Sequence, residues 1–329
     1  MPPAEPAPVT DDDRDARIIC VTPNVCVDRT LVVPRLVPGA VLRTDRTLAV
    51  AGGKGLNVAR SLRVLGHRPL TVGMIGGHTG GHVAALASEE EIDARWTTIR
   101  GETRTCVVIV SRETGTATGI YEPGPPVSTI EWSAFERAVL QEAARAAAIC
   151  LCGSLPPGIP PERYGSLVTS LRAAATPVFV DTHGDALVAA AAARPTCLKI
   201  NAEEAGGLLG RKLATLDDAL TAAAELGSAG ISQVVITLGH AGAVLAHAGD
   251  VLRAEAPDVD TVSAAGSGDA FLAAYVAAQV EGADPVAALR HGVAAGAANA
   301  QTSWGGTFDR ATYLALLDRV TVGRQMSGR

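Results

Sequence analysis

Apolar and polar residues follow different patterns in the two halves of the chain. From about residue 138 onward, helix-length stretches rich in Ala and Leu alternate with short, continuous apolar runs at residues 149–152, 177–180, 197–200 and 234–237. Continuous apolar runs separated by helices are typical of parallel strands that helices cover on both faces. The second half therefore predicts an α/β fold with three layers, α/β/α, around a mostly parallel central sheet.

The first half contains two polar, β-branched stretches, near residues 28–50 and 103–121. Their alternation of apolar and polar positions is typical of exposed antiparallel strands. Turn residues interrupt both stretches, at Pro38-Gly39 and at Glu113-Thr114-Gly115. These stretches predict a small accessory β-sheet that forms a lid.

Three helix ends can be read from the sequence. Ser128 and Glu131 have the spacing of a capping box, and Asp284-Pro285 places a capping residue before a proline at the first helical position. Gly66 follows an amphipathic stretch and is placed to end a helix. Each of these signals separates a predicted helix from a loop.

Domain organisation follows from the absence of a long linker or an internal repeat. We expect one domain over residues 18–322, with disordered tails at residues 1–17 and 323–329. Residues 1–17 are rich in Pro and Asp and lack the basic and apolar regions of a signal peptide. No apolar run approaches the roughly 18 residues needed to span a bilayer. A cytoplasmic location is the resulting expectation.

Composition and charge narrow the class of partner. The chain of 329 residues is 47% hydrophobic and 19% charged, which is typical of a folded globular protein. Its net charge of −6 provides no overall basic field, so we expect neither nucleic acid nor a membrane surface as a partner. Six cysteines lie in apolar, strand-like stretches and are expected to be buried, reduced thiols: Cys20, Cys26, Cys106, Cys150, Cys152 and Cys197.

The strongest local signal is Gly266-Ser267-Gly268-Asp269, which runs directly into an apolar helical stretch at residues 270–280. Small residues that open a helix leave backbone N–H groups free, and the helix dipole adds to their attraction for an anion. The loop can therefore cradle a phosphate. Asp269 would repel a phosphate, and two interpretations of it stay open: a general base for an attacking hydroxyl, or a residue that merely satisfies the helix dipole.

A second glycine-rich turn, at residues 51–55, also runs into an amphipathic helix. Lys54 and Asn57 add directed polar groups near its first turn, a combination suited to a hydroxylated ligand. The alternative is a tight turn with a solvated lysine. Lys54 is followed by Gly55 rather than Ser or Thr, so this is not a Walker A loop. Asp28 follows the apolar run at residues 18–21, where α/β sheets place ligand groups.

Several motifs together resemble one family, in their order and in their spacing. They are Asp28, Gly52-Gly53-Lys54-Gly55-Leu56-Asn57, Gly101-Glu102-Thr103-Arg104-Thr105, Glu122-Pro123-Gly124-Pro125, Gly153-Ser154-Leu155-Pro156-Pro157-Gly158, Asn201-Ala202-Glu203-Glu204, Thr237-Leu238-Gly239 and Gly266-Ser267-Gly268-Asp269. The chain resembles the ribokinase-like PfkB sugar kinases over roughly residues 18–320. Within that family it is most similar to the 1-phosphofructokinase and tagatose-6-phosphate kinase branch.

The resemblance implies a ribokinase-like fold and a kinase that transfers the γ-phosphoryl group of ATP to a hydroxyl of a sugar phosphate. By the same resemblance, Asp269 is the base. The backbone N–H groups of Gly266, Ser267 and Gly268 form an anion hole for the transferred group.

The resemblance also implies the substrate contacts. Asp28, Gly53 and Asn57 would hold sugar hydroxyls, with Lys54 nearby. Arg104, together with Arg43 on the other lid stretch, would bind the phosphate already on the substrate, since a guanidinium fits a phosphate bidentately. For Arg43, an exposed strand arginine is an equal alternative.

The nucleotide and the metal ion have their own expected residues. Asn201 and Glu204 match a family motif that orders Mg²⁺ and its waters, although an asparagine helix cap with a first-turn glutamate explains the pair equally well. The expected ATP-lining residues are Thr237, Gly239, Gly242 and, in the adenine pocket, Asn299.

Departures from the family pattern bear on the substrate. The chain reads Asn24-Val25-Cys26-Val27-Asp28 where the branch usually has Asn-Pro-Ala-Ile-Asp, and Lys199-Ile200-Asn201 where it has Lys-Pro-Asn. Lys54 distinguishes the chain from the minor 6-phosphofructokinases, which carry glycine at this position. This difference favours fructose 1-phosphate as the substrate, and its phosphorylation would yield fructose 1,6-bisphosphate. Tagatose 6-phosphate and fructose 6-phosphate are the alternatives.

Two further function classes stay open at this stage. One is a kinase of an unphosphorylated sugar or nucleoside, against which Arg104 argues. The other is a sugar-phosphate sensor without turnover, against which the intact Asp269 argues. Exposed edges of the lid sheet could pair between subunits, so a homodimer is compatible with the sequence.

Overall fold

The computed structural model describes residues 17–325. Its strands and helices are, in chain order, β1 (Arg17–Thr22), β2 (Cys26–Val33), β3 (Arg46–Gly52), α1 (Lys54–Val64), β4 (Leu70–Ile75), α2 (Gly77–Glu89), β5 (Asp93–Thr98), β6 (Arg104–Ser111), β7 (Ala117–Tyr121), α3 (Thr129–Ala143), β8 (Ala146–Cys152), α4 (Glu162–Ala173), β9 (Val178–Asp181), α5 (Gly184–Ala192), β10 (Cys197–Asn201), α6 (Ala202–Leu209), α7 (Leu216–Ser228), β11 (Gln233–Thr237), β12 (Ala243–His247), β13 (Asp250–Glu255), α8 (Ser267–Val280), α9 (Pro285–Ala300), α10 (Arg310–Leu317) and β14 (Thr321–Gln325).

The central sheet has ten strands in the order β14-β13-β12-β11-β10-β9-β8-β1-β4-β5. All neighbouring pairs from β11 to β5 are parallel, and β12, β13 and β14 continue the sheet in antiparallel pairing. The four apolar runs of the second half form β8, β9, β10 and β11. The prediction of a mostly parallel central sheet is confirmed.

Alternate residues of the central strands face two different cores. Cys20 and Cys150 lie in the core that contains α1, α8 and α9, whereas Val21 and Leu151 lie in the core that contains α3, α4 and α7. Strands buried on both faces need apolar residues at every position, which explains the continuous apolar runs. The three-layer prediction is therefore confirmed.

The lid sheet has the order β3-β2-β6-β7. The sheet lies where the sequence predicts it, but its strands are not all antiparallel as expected. β2 pairs with β3 and β6 pairs with β7 in antiparallel fashion, while the central pair, β2 and β6, is parallel. The reason is that β2 follows β1 and β6 follows β5, and β1 and β5 run in the same direction in the central sheet. Residues 34–45 form an irregular connection rather than a strand.

The predicted helix ends are confirmed. Ser128 and Glu131 form a reciprocal capping box at the start of α3. Asp284 accepts a hydrogen bond from the N–H of Ala287 at 2.8 Å, ahead of the proline that begins α9. Gly66 follows the end of α1 with a φ of +99°, the left-handed conformation that favours glycine.

The ends of the domain differ slightly from the expected boundaries. β1 begins at Arg17, and β14 pairs with β13 as far as Gln325, so residues 323–325 belong to the fold rather than to a tail. The remainder of the expected tails, residues 1–16 and 326–329, lies outside the described residues. Within residues 17–325, no helix has the length and apolar character required to cross a membrane. All six cysteines are buried and none forms a disulfide.

The loop after α9 fits tightly against α1 through one glycine. Gly306 has a φ of +73°, and a Cβ there would lie 2.7 Å from the Cα of Asn57. The carbonyl of Gly306 accepts a hydrogen bond from the Ser61 hydroxyl at 2.8 Å. This close approach holds the loop beside the first turns of α1.

We therefore expect Gly306→Ala to lower the free energy of unfolding by about 2 kcal/mol, because it combines a strained φ with a backbone clash. Gly81→Ala is the matched control, since a Cβ at this exposed position of α2 meets nothing within 4 Å. It should raise stability by about 0.5–1 kcal/mol. Urea unfolding of both variants checks this, and an unchanged Gly306→Ala variant would contradict the described packing.

Candidate active site

A buried carboxylate at the end of β9 lies between two lysines. Asp181 has no exposed surface, and its two oxygens lie 2.7 Å from Lys54 Nζ and 2.6 Å from Lys199 Nζ. Lys54 is the first residue of α1, and Lys199 lies in β10 beside β9. The Lys199 side chain is 4% exposed, whereas that of Lys54 is 32% exposed and reaches the surface of the site. We call these three residues the ion triad.

The charges of the ion triad determine the protonation of its members. Burial alone would raise the pKa of Asp181, but the ammonium groups of Lys199 and Lys54 lower it to about 2. Burial lowers the pKa of Lys54, yet the negative charges of Asp181 and Asp269 outweigh that effect and raise it above its ordinary value. Asp181 is therefore ionised and Lys54 protonated at neutral pH.

Asp269 lies in the first turn of α8 and is 6% exposed. Burial raises the pKa of its carboxyl group and the charge of Asp181 adds to this effect, while Lys54, Lys199 and the hydrogen bond from Asn57 oppose it. A carboxylate with a raised pKa binds a proton more strongly than an ordinary aspartate does. Burial and a raised pKa are properties expected of a general base, the role predicted for Asp269.

A chain of polar contacts orients Asp269. Asn57 donates from Nδ2 to Oδ2 of Asp269 at 2.8 Å, and its Oδ1 accepts from Nη1 of Arg60 at 2.8 Å. Arg60 is fixed in turn by Glu90, with 2.5 Å between Nε and Oε2, and by the carbonyl of Ala51. Because Arg60 holds the oxygen of the Asn57 amide, the amide must point its NH₂ group at Asp269.

The predicted anion hole lies where α8 begins. Gly266 has a φ of +76°, and its N–H group, like that of Gly268, has no hydrogen-bond partner among residues 17–325. The third predicted group differs: the Ser267 N–H donates to the Ala264 carbonyl at 3.2 Å, as part of the turn that precedes the helix. A Cβ on Gly268 would lie 2.7 Å from Lys199 Nζ, so the ammonium group faces the same opening. Two N–H groups without a partner in the described part of the chain and one ammonium group therefore lie at the start of α8.

The four residues predicted to hold the sugar lie together around the start of α1. The Gly53 N–H donates to Oδ2 of Asp28 at 3.3 Å, which joins the lid strand β2 to the helix. Gly53 caps α1 with a φ of +115°, and a Cβ there would lie 2.8 Å from Cγ2 of Thr22. Lys54 and Asn57 follow in the first turn. The start of α1 therefore lies beside the Asp28 carboxylate and contributes the ammonium group of Lys54 and the amide of Asn57.

The two predicted phosphate-binding arginines are placed differently. Arg104, in β6, donates from Nη2 and Nε to the carbonyl of Asn24, at 2.9 and 3.3 Å, and from Nη1 to the carbonyl of Glu122 at 3.0 Å. A guanidinium has five N–H donors, so two remain for a ligand. Arg43 is exposed on the connection between β2 and β3, outside any strand, and has no hydrogen bond or ion pair within residues 17–325.

The predicted nucleotide-binding residues lie at the ends of β10 and β11. Thr237 is opposite Asn201 in the register of these strands, and Gly239 and Gly242 bound the short helical turn that follows. Asn201 and Glu204 form a reciprocal capping box at the start of α6, with both hydrogen bonds at 2.8 Å. This pair therefore has a structural role, and the second carboxylate oxygen of Glu204 has no hydrogen-bond partner among residues 17–325.

Asn299 does not fit its predicted role in the adenine pocket. It is completely buried, and its amide donates to the Ala265 carbonyl at 2.8 Å and to the Ser267 hydroxyl at 3.2 Å. Its oxygen accepts from the N–H groups of Gly306 and Thr307. All four hydrogen bonds of the amide are used within the protein. Asn299 instead ties the anion-hole loop to the loop after α9.

Three residues of the site are missing from the sequence-based set: Asp181, Lys199 and Arg60. Asp181 directly follows the apolar run at 177–180, a position that parallel sheets offer to ligand groups. Lys199 is one of three lysines among 28 basic residues, and Lys54 is another. Because lysine is so rare in this chain, its composition alone could have drawn attention to Lys199. Arg60 offered no signal, because its partners are set by the fold.

The two buried aspartates should respond oppositely to removal of their charge. The lowered pKa of Asp181 contributes stability that is present above pH 4 and is lost as pH falls toward 2, so Asp181→Asn should lower the free energy of unfolding by about 2 kcal/mol at pH 7. This difference should shrink as pH is lowered below 4.

The raised pKa of Asp269 means that the fold disfavours its charge, so Asp269→Asn should raise the free energy of unfolding at pH 7. Urea unfolding at pH 7 and pH 3.5 checks both; equal destabilisation by the two substitutions would contradict this account.

Known proteins with similar sequences and folds indicate the family of the chain. Residues 17–309 match the model of the pfkB family carbohydrate kinases. The chain is 35% identical over 270 residues to a 1-phosphofructokinase of Rhodobacter capsulatus, covering 82% of this chain and 85% of that protein.

Solved structures show the same fold. Phosphofructokinase-2 from Escherichia coli in complex with fructose-6-phosphate superposes with a TM-score of 0.85 at 28% identity, covering 92% of this chain and 99% of that one. A Thermotoga maritima protein described as a possible 1-phosphofructokinase gives a TM-score of 0.87 at 23% identity, covering 94% of this chain and all of the other, and supports the fold alone. Since the family model spans most of the chain, the protein belongs to the pfkB family of carbohydrate kinases.

Proposed function

We propose that the protein transfers the γ-phosphoryl group of ATP to fructose 1-phosphate and forms fructose 1,6-bisphosphate. The observation that carries this proposal is the placement of a buried aspartate, Asp269, beside the free N–H groups of Gly266 and Gly268. The name of the Rhodobacter relative supports the choice of substrate. Lys54 at the start of α1 supports it as well, since the sequence departs there from the minor 6-phosphofructokinases.

Asp269 acts as the general base in this proposal. As the substrate hydroxyl attacks the γ-phosphorus, its proton passes to the Asp269 carboxylate, a new O–P bond forms, and the bond from phosphorus to the β-phosphate oxygen breaks to release ADP. The raised pKa of Asp269, caused mainly by burial, strengthens its affinity for this proton. The Asn57 amide keeps the accepting carboxylate in place.

Charge stabilisation comes from groups that are already oriented. The N–H groups of Gly266 and Gly268, at the positive end of α8, face the incoming phosphoryl group, and the ammonium of Lys199 lies beside them. Phosphoryl transfer passes through a loose transition state, so alignment and charge neutralisation account for most of the catalysis. The ion triad supplies both, because Asp181 fixes two ammonium groups at one site.

The sugar phosphate would contact α1 and the lid. Asp28, Asn57 and the backbone of Gly53 are proposed to hold hydroxyl groups, with Lys54 nearby. Arg104 is proposed to bind the existing phosphate with its two free N–H donors, and Arg43 to approach from the connection between β2 and β3. Both arginines lie on the lid, so phosphate binding would favour lid closure.

ATP is proposed to bind along the ends of β10 and β11, where Gly239 is exposed and Thr237 is partly exposed, with Gly242 buried behind them. Mg²⁺ fits the oxygen donors found here: Glu204 retains a free carboxylate oxygen beside the amide of Asn201. These residues would hold the ion through water, and bound Mg²⁺ would neutralise charge on the phosphates.

Fructose 6-phosphate and tagatose 6-phosphate remain the alternative acceptors, the former because it is bound in the Escherichia coli phosphofructokinase-2 structure. We also propose self-association through β7, whose five residues are all exposed at the edge of the lid sheet. Assembly varies among similar proteins, since Escherichia coli phosphofructokinase-2 also has a tetrameric inhibited form.

The reaction and its base can be tested together. With Mg·ATP, we expect ADP release to be fastest with fructose 1-phosphate and slower with fructose 6-phosphate, tagatose 6-phosphate and ribose. Asp269→Asn should lower kcat by about 10²–10⁴-fold without loss of stability, because it removes only the proton acceptor. Coupled ADP assays measure both effects. No turnover with any phosphorylated sugar, or full activity of the variant, would refute the proposal.

If Arg104 binds the phosphate of the sugar, its removal should affect KM for the sugar phosphate and not KM for ATP. Arg104→Ala should raise KM for the sugar phosphate by about 10–100-fold and change KM for ATP little, because it removes charge-assisted hydrogen bonds to one substrate. Arg112→Ala is the matched control, since Arg112 is a lid arginine that pairs with Asp45 on the surface. Steady-state kinetics with each substrate varied in turn measures the effect. An unchanged KM for the sugar phosphate would remove Arg104 from the site and favour an unphosphorylated acceptor.

A further inference from the structure

Two cysteines and an aspartate that are distant in sequence meet on one face of the lid sheet. Cys26 and Asp28 are two residues apart in β2, so their side chains point to the same face. Cys106 in β6 lies directly opposite Asp28 in the parallel register, and Arg104 lies opposite Cys26. Strand pairing therefore places two thiols and a carboxylate beside a guanidinium group.

The three side chains are close enough to share one metal ion. The thiol sulfurs of Cys26 and Cys106 and a carboxylate oxygen of Asp28 all lie within 4.8 Å of one another, and Sγ of Cys26 is 3.3 Å from Oδ1 of Asp28. Tetrahedral zinc, with Zn–S of about 2.3 Å and Zn–O of about 2.1 Å, needs its ligand atoms about 3.6–3.8 Å apart. A contraction of about 1 Å at most, within reach of side-chain rotation, would form the site.

A disulfide does not explain this pair of cysteines. Cys26 and Cys106 are diagonal neighbours, displaced by two residues along adjacent strands. The spacing of strands and residues in a sheet separates the Cα atoms of such a pair by about 8 Å. Disulfides require Cα atoms closer than about 7 Å. A bridging ion tolerates the longer separation.

The charges balance when a dication binds and the two thiols release their protons. Two thiolates and one carboxylate carry three negative charges, which a divalent cation and the guanidinium of Arg104 cancel. Thiolates prefer soft or borderline cations such as Zn²⁺ to Mg²⁺.

We propose that Cys26, Asp28 and Cys106 form a binding site for a thiophilic divalent cation of the Zn²⁺ class, and that the bound ion excludes the sugar phosphate. Binding would release the two thiol protons to solvent and leave a fourth coordination position open to water. The exclusion of the sugar phosphate rests on the proposed function, because it requires Asp28 to hold the sugar. The binding of the ion does not rest on that function. The kinase would then be inhibited by free Zn²⁺ at a site separate from its Mg²⁺.

Cobalt(II) is the probe for the first half of the proposal. Titrating the reduced, metal-free protein with Co²⁺, without sugar or nucleotide, should produce a thiolate-to-cobalt charge-transfer absorption that saturates at one ion per chain and disappears when Zn²⁺ is added. Cys26→Ala, and separately Cys106→Ser, should weaken binding at least about tenfold. Cys197→Ala is the matched control, since Cys197 is a buried thiol outside the cluster, and it should keep the absorption. An absent band, or a band that survives both cluster substitutions, would overturn the site.

Competition tests the second half. Fructose 1-phosphate should raise the Co²⁺ concentration needed for half-saturation, and in metal-buffered assays Zn²⁺ should raise KM for the sugar phosphate without changing KM for ATP. In Cys26→Ala this inhibition, measured against the uninhibited rate of that variant, should weaken at least about tenfold. Cobalt binding that sugar phosphate does not affect would overturn the exclusion. A cobalt band in a protein that phosphorylates no sugar would instead refute the proposed function and leave the metal site standing.

Discussion

The ion triad is the interaction on which the site depends. Asp181 is buried at the end of β9 and is tolerated there because Lys54 and Lys199 neutralise it at hydrogen-bonding distance. Removing one partner leaves an uncompensated charge in the interior, which destabilises the fold. The pairing therefore fixes the start of α1 against the ends of two central strands. It brings the residues proposed to hold the sugar close to the residues proposed to bind the phosphoryl group.

Close backbone contacts then position the groups around the triad. A Cβ on Gly266 would lie 2.3 Å from the N–H nitrogen of Gly306, so the anion-hole loop and the loop after α9 can touch only through glycines. Asn299 connects the same two loops through hydrogen bonds to the Ala265 carbonyl and the Gly306 N–H group. The cation–π contact between Arg46 of β3 and Trp304, at 4.8 Å, joins the lid to this assembly. The lid is thereby in direct contact with the loop after α9.

The sequence predicted the parts of this arrangement that depend on local pattern. Continuous apolar runs predicted β8 to β11, and glycines predicted the start of α8, because burial and backbone freedom restrict residue type. What it did not predict depends on long-range pairing. The parallel pairing of β2 with β6, the partners of Asp181, and the meeting of Cys26 with Cys106 across 80 positions all arise from topology. For Ser267 and Asn299 the residues were found but their hydrogen bonds were not, since these depend on the exact course of two loops.

The pH dependence of kcat/KM tests the central claim most directly, since it reports the ionisation of essential groups in the free enzyme. If Asp269 is the base in a site controlled by the ion triad, the rate should fall in acid with an apparent pKa above the ordinary value of aspartate. Lys54→Met should move this limb to higher pH, because the Lys54 charge lowers the pKa of Asp269. A limb at or below the ordinary value, or one that stays in place in Lys54→Met, would contradict the account.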